Sequence, residues 1–480
     1  MQNIYSKTIY VGQGEAHSNI QTAAFVATPG DTILVGEGNY PGGMYIENLQ
    51  GTADNPIYII ADVLHTPVIS GGTNAIQFTD ARYLVIKGII FEQQTGNGLN
   101  VDDGGTYDSP TTNLTFAQCI FRDMNASGNN DLLKLSGLDK FEIIDCDFVN
   151  GAGGGSGVDM VGCHHGIIKN CRFINMGSNA IQAKGGTQYI EISSNYFENC
   201  GQRTLNLGGS TGLAFFRPID AKFEAADLQV YSNIFIGSNS PINFVGCQRV
   251  DVINNTIINP IRWVLRILQE TVDENRFVPC GENKFMNNLI YFGNISTEVN
   301  IGPNTAPHTF EFTSNFWYNH QNSNWSGPAL PVTDLTQVIG KNPTFENFSS
   351  GDFRLMVGSP AIGFIDYNGK PDVDYNNVRY ASPRSAGAFE TMTTSIRNSS
   401  RMITAIYPNP SNDILYFELE NTDELTSHNI VLKIFDNLGS EVFSKYYLAN
   451  DSRMVIDVSN LSRGFYVIKI GESYEKFLKL

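Results

Sequence analysis

The chain has 480 residues, more than one compact core usually organises, so several domains or an elongated solenoid with an added module are expected. Its formal charge of −17 argues against generic binding to nucleic acid or an anionic membrane, and a polyanionic ligand would need a local basic patch. No apolar run is long enough for a membrane span, and 46 glycines, strand-forming aromatics and the lack of a long 3.6-period run indicate an all-β chain.

The N-terminus, Met1-Gln2-Asn3-Ile4-Tyr5, lacks the basic and apolar regions of a signal peptide. At face value this means a cytoplasmic protein, but the other end of the chain supports a leader that lies upstream or has been removed. Residues 7–72 hold Lys7-Thr8-Ile9-Tyr10-Val11, Thr32-Ile33-Leu34-Val35 after a Pro29-Gly30 turn, Asn55-Pro56-Ile57 and Pro67-Val68-Ile69-Ser70-Gly71. These segments resemble the N-terminal cap and first turns of secreted right-handed parallel β-helix proteins, in which a short helix plugs the open end of the coil. A solenoid end without a cap would expose core and strand edges.

Residues 80–320 carry a repeat of the form Cys/Asn-x-Phe/Ile/Trp: Cys119-Ile120-Phe121, Cys146-Asp147-Phe148, Cys171-Arg172-Phe173, Asn195-Tyr196-Phe197, Asn233-Ile234-Phe235, Asn255-Thr256-Ile257, Asn288-Leu289-Ile290 and Asn315-Phe316-Trp317. Steps of roughly 22 to 38 residues are the signature of a solenoid whose unit cannot bury its own apolar face. The cysteines at equivalent rungs read as an inward stack of free thiols, and no CxxC spacing suggests a metal site built from them.

A second register runs through Leu133-Lys134-Leu135, Val158-Asp159-Met160, Ile181-Gln182-Ala183, Leu205-Asn206-Leu207, Ile242-Asn243-Phe244 and Leu265-Arg266-Ile267. Strand side chains alternate, so the flanking residues should fill the interior while Lys134, Asp159, Gln182, Asn206, Asn243 and Arg266 form an outward polar stripe, one per rung, at about 4.8 Å. Such a stripe suits a long polymer. Two long steps insert residues 208–218 and 269–277 beside it, and insertions in solenoids often border the binding face.

Residues 321–390, with Phe353-Arg354-Leu355 and Ser385-Ala386-Gly387-Ala388-Phe389-Glu390, resemble the closing segment of the same β-helix proteins, so residues 1–390 are read as one domain. A polar linker, 391–403, leads to a compositionally different tail, 404–480. That tail contains Tyr407-Pro408-Asn409-Pro410-Ser411, Val431-Leu432-Lys433-Ile434-Phe435-Asp436-Asn437-Leu438-Gly439, Leu461-Ser462-Arg463-Gly464-Phe465-Tyr466 and the final Lys476-Phe477-Leu478-Lys479-Leu480. Order and spacing resemble the type A sorting domain of the Bacteroidetes type IX secretion system, a small Ig-like sandwich. This resemblance implies the secretion machinery as a partner, and a secreted or cell-surface location reached through the outer membrane.

Chemistry centres on Lys184, two residues beyond Gln182 on the same face and followed by Gly185-Gly186, which are expected to leave space above it. Arg203, Arg217, Arg262 and Arg266 add a local concentration of cations, for which an acidic polysaccharide is the natural ligand. Eliminative cleavage of a uronate polymer needs a cation at the carboxylate, a base for the α-proton and a donor for the leaving oxygen. Lys184 beside Arg203 suits the base, because neighbouring positive charge disfavours its protonated form. Arg203, Arg217 or Arg266 would bind carboxylate, Asp159, Gln182, Asn206 and Asn243 would line the groove, and His164 or His165 could supply a proton.

With these residues in place, the chain resembles the chondroitinase B and alginate lyase group of β-helix polysaccharide lyases. Lys184 matches their catalytic lysine and Thr204-Leu205-Asn206-Leu207 the strand before their catalytic arginine, although that arginine position falls on Gly208. Calcium enters through the same resemblance, but residues 179–183 lack the paired acids that hold it, so no metal site is expected. Two other readings remain: a glycoside hydrolase using Asp159 with Glu270, and a glycan-binding or adhesion protein without catalysis.

Overall fold

The computed structural model describes residues 6–106, 108–391, 403–419, 430–436, 439–447, 453–470 and 473–480. The 391–403 linker expected from sequence falls almost wholly outside them. The chain divides into two compact units, 1–391 and 392–480.

The first unit is a right-handed parallel β-helix of three long sheets, with 14, 12 and 10 strands. Each turn contributes one strand to each sheet, as in Leu138–Ile144, Asp147–Val149 and Ser156–Val161. We refer to these as the first, second and groove sheets. The ladder starts at Thr8–Val11, and the helix Ile20–Ala24 buries Ile20, Ala23 and Ala24 at that end, with Asn19 capping it through Thr22 N–H.

Alternation behaves as expected inside the coil. Leu133, Leu135, Val158, Met160, Ile181, Ala183, Leu205 and Leu207 are all buried from the groove sheet. Phe91, Phe121, Phe148, Phe173, Phe197 and Phe235 form a continuous stack, with centroids 4.6 to 5.0 Å apart.

The sharp corner between the first and second sheets explains the Cys/Asn repeat. Asp145, Asn170, Ser194, Ser232, Asn254 and Asn287 adopt left-handed backbone there, turning the chain and pointing the next residue inward. Asn195, Asn233, Asn255, Asn288 and Asn315 are consequently buried. Each accepts the N–H of the residue one rung earlier at 2.9 to 3.1 Å, from Cys171 N onward, and the run ends on Asp334. Their amide groups also donate to carbonyls such as Ile192 and Val230, so corner groups that cannot reach water are paired. All seven cysteines are buried free thiols, three of them at the head of this ladder.

After Phe345 the chain runs back over the outer face of the second sheet. Ala386, Ala388 and Phe389 pack on Ile234, Ile258, Leu289 and Phe316, while Asn254 and Asn287 donate to Ser385 O. The second unit pairs Ile403–Tyr407, Ile414–Leu419 and Arg453–Asp457 in one antiparallel sheet. Ile430–Phe435, Glu441–Tyr447, Gly464–Ile470 and Ser473–Lys479 form another, and Leu415, Phe417, Leu432, Ile434, Ile468 and Phe477 share its core.

Replacing Asn255 by Ala orphans Asn233 N–H and Val230 C=O in the interior, at about 1–3 kcal/mol each. The denaturation midpoint should fall accordingly. Asn255→Cys, which installs the side chain used at position 171, should lose less.

Candidate functional site

The outward stripe is in register. Lys134, Asp159, Gln182, Asn206, Asn243 and Arg266 lie opposite one another rung by rung. Tyr45, Gln77 and Asn100 precede them and Asn300 follows. Ten rungs make nine steps of about 4.8 Å, a row about 43 Å long.

The expectation that this row faces solvent is corrected in its central part, where Asp159, Gln182, Asn206 and Asn243 are buried. Charged side chains reach Asp159 and Asn206. Arg203 donates to Asn206 Oδ1 at 3.2 Å and pairs with Glu270 from the second insertion. Asn243 turns its amide onto Leu205 O and Ser240 O.

Lys184 faces a cavity of about 620 Å³ that it lines with Lys134, Asp103, Phe215, Arg217 and residues 210–212 of the first insertion. Its Nζ is 3.3 Å from Asp159 Oδ1, and Lys134 Nζ binds the other oxygen of the same carboxylate. Lys134 also lies 3.5 Å from Asp131 Oδ2, and Asp131 Oδ1 accepts Ser156 N–H at 2.8 Å. Burial works against the charge on Lys134, but Asp159 and Asp131 outweigh it and hold the ammonium above its usual range. Burial and the nearby charge of Asp159 push Asp131 up to about 6 against the pull of Lys134.

The glycines after Lys184 do not open space above it. Gly186 has φ +87°, and a Cβ there would come within 2.4 Å of Arg217 O, so the glycine admits the insertion's backbone. Glu224 fastens that insertion. This buried carboxylate accepts Gly185 N–H and Thr211 N–H, both at 2.9 Å, and the hydroxyls of Thr211 and Thr271, which brings both insertions to one point.

Arg217 reaches the cavity wall, but its guanidinium also donates to Asp139 Oδ1 at 2.8 Å and Gly162 O at 2.9 Å. His164 Nε2 donates to Gly186 O and Arg217 O at 3.1 and 3.2 Å, so its ring braces the insertion. His165 stacks on Tyr189 at 4.8 Å, along the first sheet and away from the Lys184 cavity.

Arg203 is not beside Lys184 as expected. It pairs in register with Asn179, five residues earlier, a separation of about 16 Å along the strand. The cations that share the Lys184 cavity are Lys134 and Arg217. Arg203 belongs instead with Arg266 and Arg262, whose guanidinium groups lie 4.4 and 4.0 Å from the Trp263 ring centroid. Burial lowers Arg266 and the charge of Arg203 lowers it further, while its Nε donates to Asn300 Oδ1 at 3.0 Å.

Sequence reasoning missed Phe215, whose ring is 70% exposed beside the two lysines, and Trp263. It also gave Lys134 no role beyond the polar stripe, although an acid three residues earlier, Asp131, was a visible signal. The residues around Lys184 do not suit calcium, because an ammonium already sits on Asp159. Among the described residues no three His, Cys, Asp or Glu side chains gather as a metal site. Asp159 and Glu270, the pair a glycosidase would need, are each engaged by cations.

The molecule is thus a parallel β-helix protein with a separate antiparallel tail. Residues 405–479 match the secretion system C-terminal sorting domain, which indicates secretion or cell-surface attachment. No helix among the described residues is long and apolar enough to cross a membrane. No curated protein matches the chain. Among solved structures, pectate lyase Pel9A is similar with a TM-score of 0.53 at 16% identity, over 81% of this chain and 97% of that one. A rhamnogalacturonan lyase gives 0.48 at 12%, over 81% and 97%. An alginate lyase from Paenibacillus sp. str. FPU-7 gives 0.40 at 15%, over 64% and 98%. At 16% identity the likeness to Pel9A is one of fold.

Asp131 generates a pH prediction. Folded, it keeps its proton up to about 6, whereas an unfolded aspartate releases it near about 3.9. Between those values the folded state binds more protons, so this group lowers stability as pH rises from about 4 to about 6. Asp131→Asn should gain stability relative to the parent across that window, as read from urea midpoints at each pH.

Proposed function

We propose that the β-helix is a polysaccharide lyase that cleaves a uronic-acid-containing polymer by β-elimination in the Lys184 cavity. The observation that carries this reading is that cavity, where two lysines and an exposed aromatic ring meet on a polar row long enough for several sugar units. Lys134, held as an ammonium by two carboxylates, is the cation for the substrate carboxylate. Lys184 is the base. It takes the C5 proton, the C–H electron pair becomes the C4–C5 double bond, and the C4–O bond breaks. The proton then passes from Lys184 to the departing oxygen, so no water is consumed.

Phe215 offers its ring face to the apolar side of a sugar. Arg203 and Arg266, with Arg262 and Trp263, would bind a carboxylate farther along the chain, oriented by Asn206 and Asn300. Gln182 would reach a hydroxyl between the two clusters. Arg217 and His164 serve to position the insertion that closes the cavity.

A glycan-binding protein without catalysis is the second reading, favoured by the ion pair that Lys184 makes with Asp159. Lys184→Ala should reduce turnover by a factor of ~10²–10⁴ while leaving polymer binding largely in place. Arg266→Ala should weaken binding, because a carboxylate contact acts on ground and transition states together. Both are read from the absorbance of unsaturated uronate with alginate, pectate and chondroitin sulfate. If no product forms from any uronate polymer and both substitutions cost equal affinity, the binding reading replaces the enzyme.

The tail is proposed to be read by the type IX machinery for passage through the outer membrane. Deleting residues 404–480 should abolish export in a host with that system while the purified β-helix keeps its activity. Intact secretion of the truncated chain would remove the assignment.

A further inference from the structure

A second trough, of about 710 Å³, follows the outer face of the first sheet. One residue per turn creates it. Lys140, His165, Tyr189, Asp227, Arg249 and Glu282 all have φ between 54° and 58°, although none is glycine. Their neighbours Asp139, His164, Gln188, Ala226 and Gln248 pair in register, so the bent residues stack turn upon turn as a ledge. Below it, Glu191, Gln229, Asp251 and Lys284 form an aligned floor. Two residues farther along those strands, Tyr231, Ile253 and Met286 are buried, with Tyr367 of the returning segment packed against them.

The chemistry of this trough differs from that of the lysine cavity. Tyr189 is 50% exposed and lies flat against His165, with 11° between the rings, so the ledge presents a planar aromatic wall. Four carboxylates line the trough against one arginine and one lysine. Those two cations are engaged, since Arg249 holds both oxygens of Asp227 at 2.7 and 2.8 Å and Lys284 lies 3.7 Å from Asp251. Excess negative charge rejects a polyuronate, whereas acceptors on the floor and an aromatic wall suit hydroxyl groups and the C–H face of an uncharged sugar.

We propose that this trough binds a neutral polysaccharide chain, extended along the coil, with Tyr189 as its stacking platform. The protein then has two polymer sites of opposite selectivity on one rigid coil, so a material containing neutral and acidic chains would be held at both, raising the effective concentration of each. The inference does not depend on catalysis at Lys184.

Affinity electrophoresis of the full chain in native gels containing xylan, galactan or glucomannan tests it. The parent protein should be retarded by at least one of these polymers, and excess pectate should not relieve the retardation. Tyr189→Ala, at a half-exposed position, should weaken the interaction roughly tenfold, and His165→Ala should weaken it as well. Lys184→Ala should be retarded as the parent is. The proposal is overturned if none of the three polymers retards the parent, if pectate competes, or if Tyr189→Ala and His165→Ala both behave as the parent.

Discussion

A parallel coil stands or falls on how its corners satisfy the backbone groups that each tight bend turns inward. Here the solution is a run of side-chain amides. Each buried asparagine from Asn195 to Asn315 takes the N–H of the preceding rung and returns its own amide hydrogens to carbonyls, until Asp334 closes the row. The left-handed residue before each corner makes the bend, and the amide makes it affordable inside a core without water. Once the corners keep phase, the phenylalanine stack, the inward aliphatic columns and the outward polar row are all forced into register. Every later feature, including the groove, inherits its spacing from that row.

Register alone does not make a site. The groove sheet carries a buried acid, Asp159, which would be costly if left without a partner. Two lysines from neighbouring rungs meet it, and Asp131 joins from the strand entry, so charge is concentrated at one rung while most of the row is neutral amide. Four rungs from Asp159, Arg266 and its neighbour Arg262 gather on Trp263, where the aromatic ring offsets the mutual repulsion of closely placed guanidinium groups. The two centres differ physically. One holds compact ammonium groups in a cavity under an inserted loop, and the other spreads planar cations over a more open surface.

The insertions convert a flat sheet into a cavity, and a few polar groups hold them there. Glu224 gathers donors from Gly185, Thr211 and Thr271, while Arg217 and His164 fasten the backbone over Gly186. These groups are far apart in sequence, and each would look ordinary in isolation. Their closeness lets Phe215 stand exposed above the lysines, an arrangement that a solvated loop would not maintain.

Much of the architecture was legible in the sequence because solenoid contacts repeat at nearly fixed intervals. The Cys/Asn ladder, the Leu-x-Leu columns and the polar row could be aligned by eye, and the tail's motifs are local and contiguous. Such periodic features depend only on near-neighbour rungs, so spacing by itself determined a coil of parallel strands, while the tail was read as a sorting domain from its resemblance to a known family. The site was read less well. Lys184 does line a cavity, yet what surrounds it is not Arg203 and open space but Asp159, Lys134 and an insertion whose Arg217 backbone covers Gly186. Position along a strand decides that a residue five places away is remote, and the route of an insertion decides what covers a rung; neither is periodic. His164 and His165, adjacent in sequence, serve as a loop brace and an aromatic ledge because His165 itself takes left-handed backbone. Only the tertiary structure could decide these pairings, because they arise from side chains and loops that cross between rungs, where sequence distance carries no information about contact.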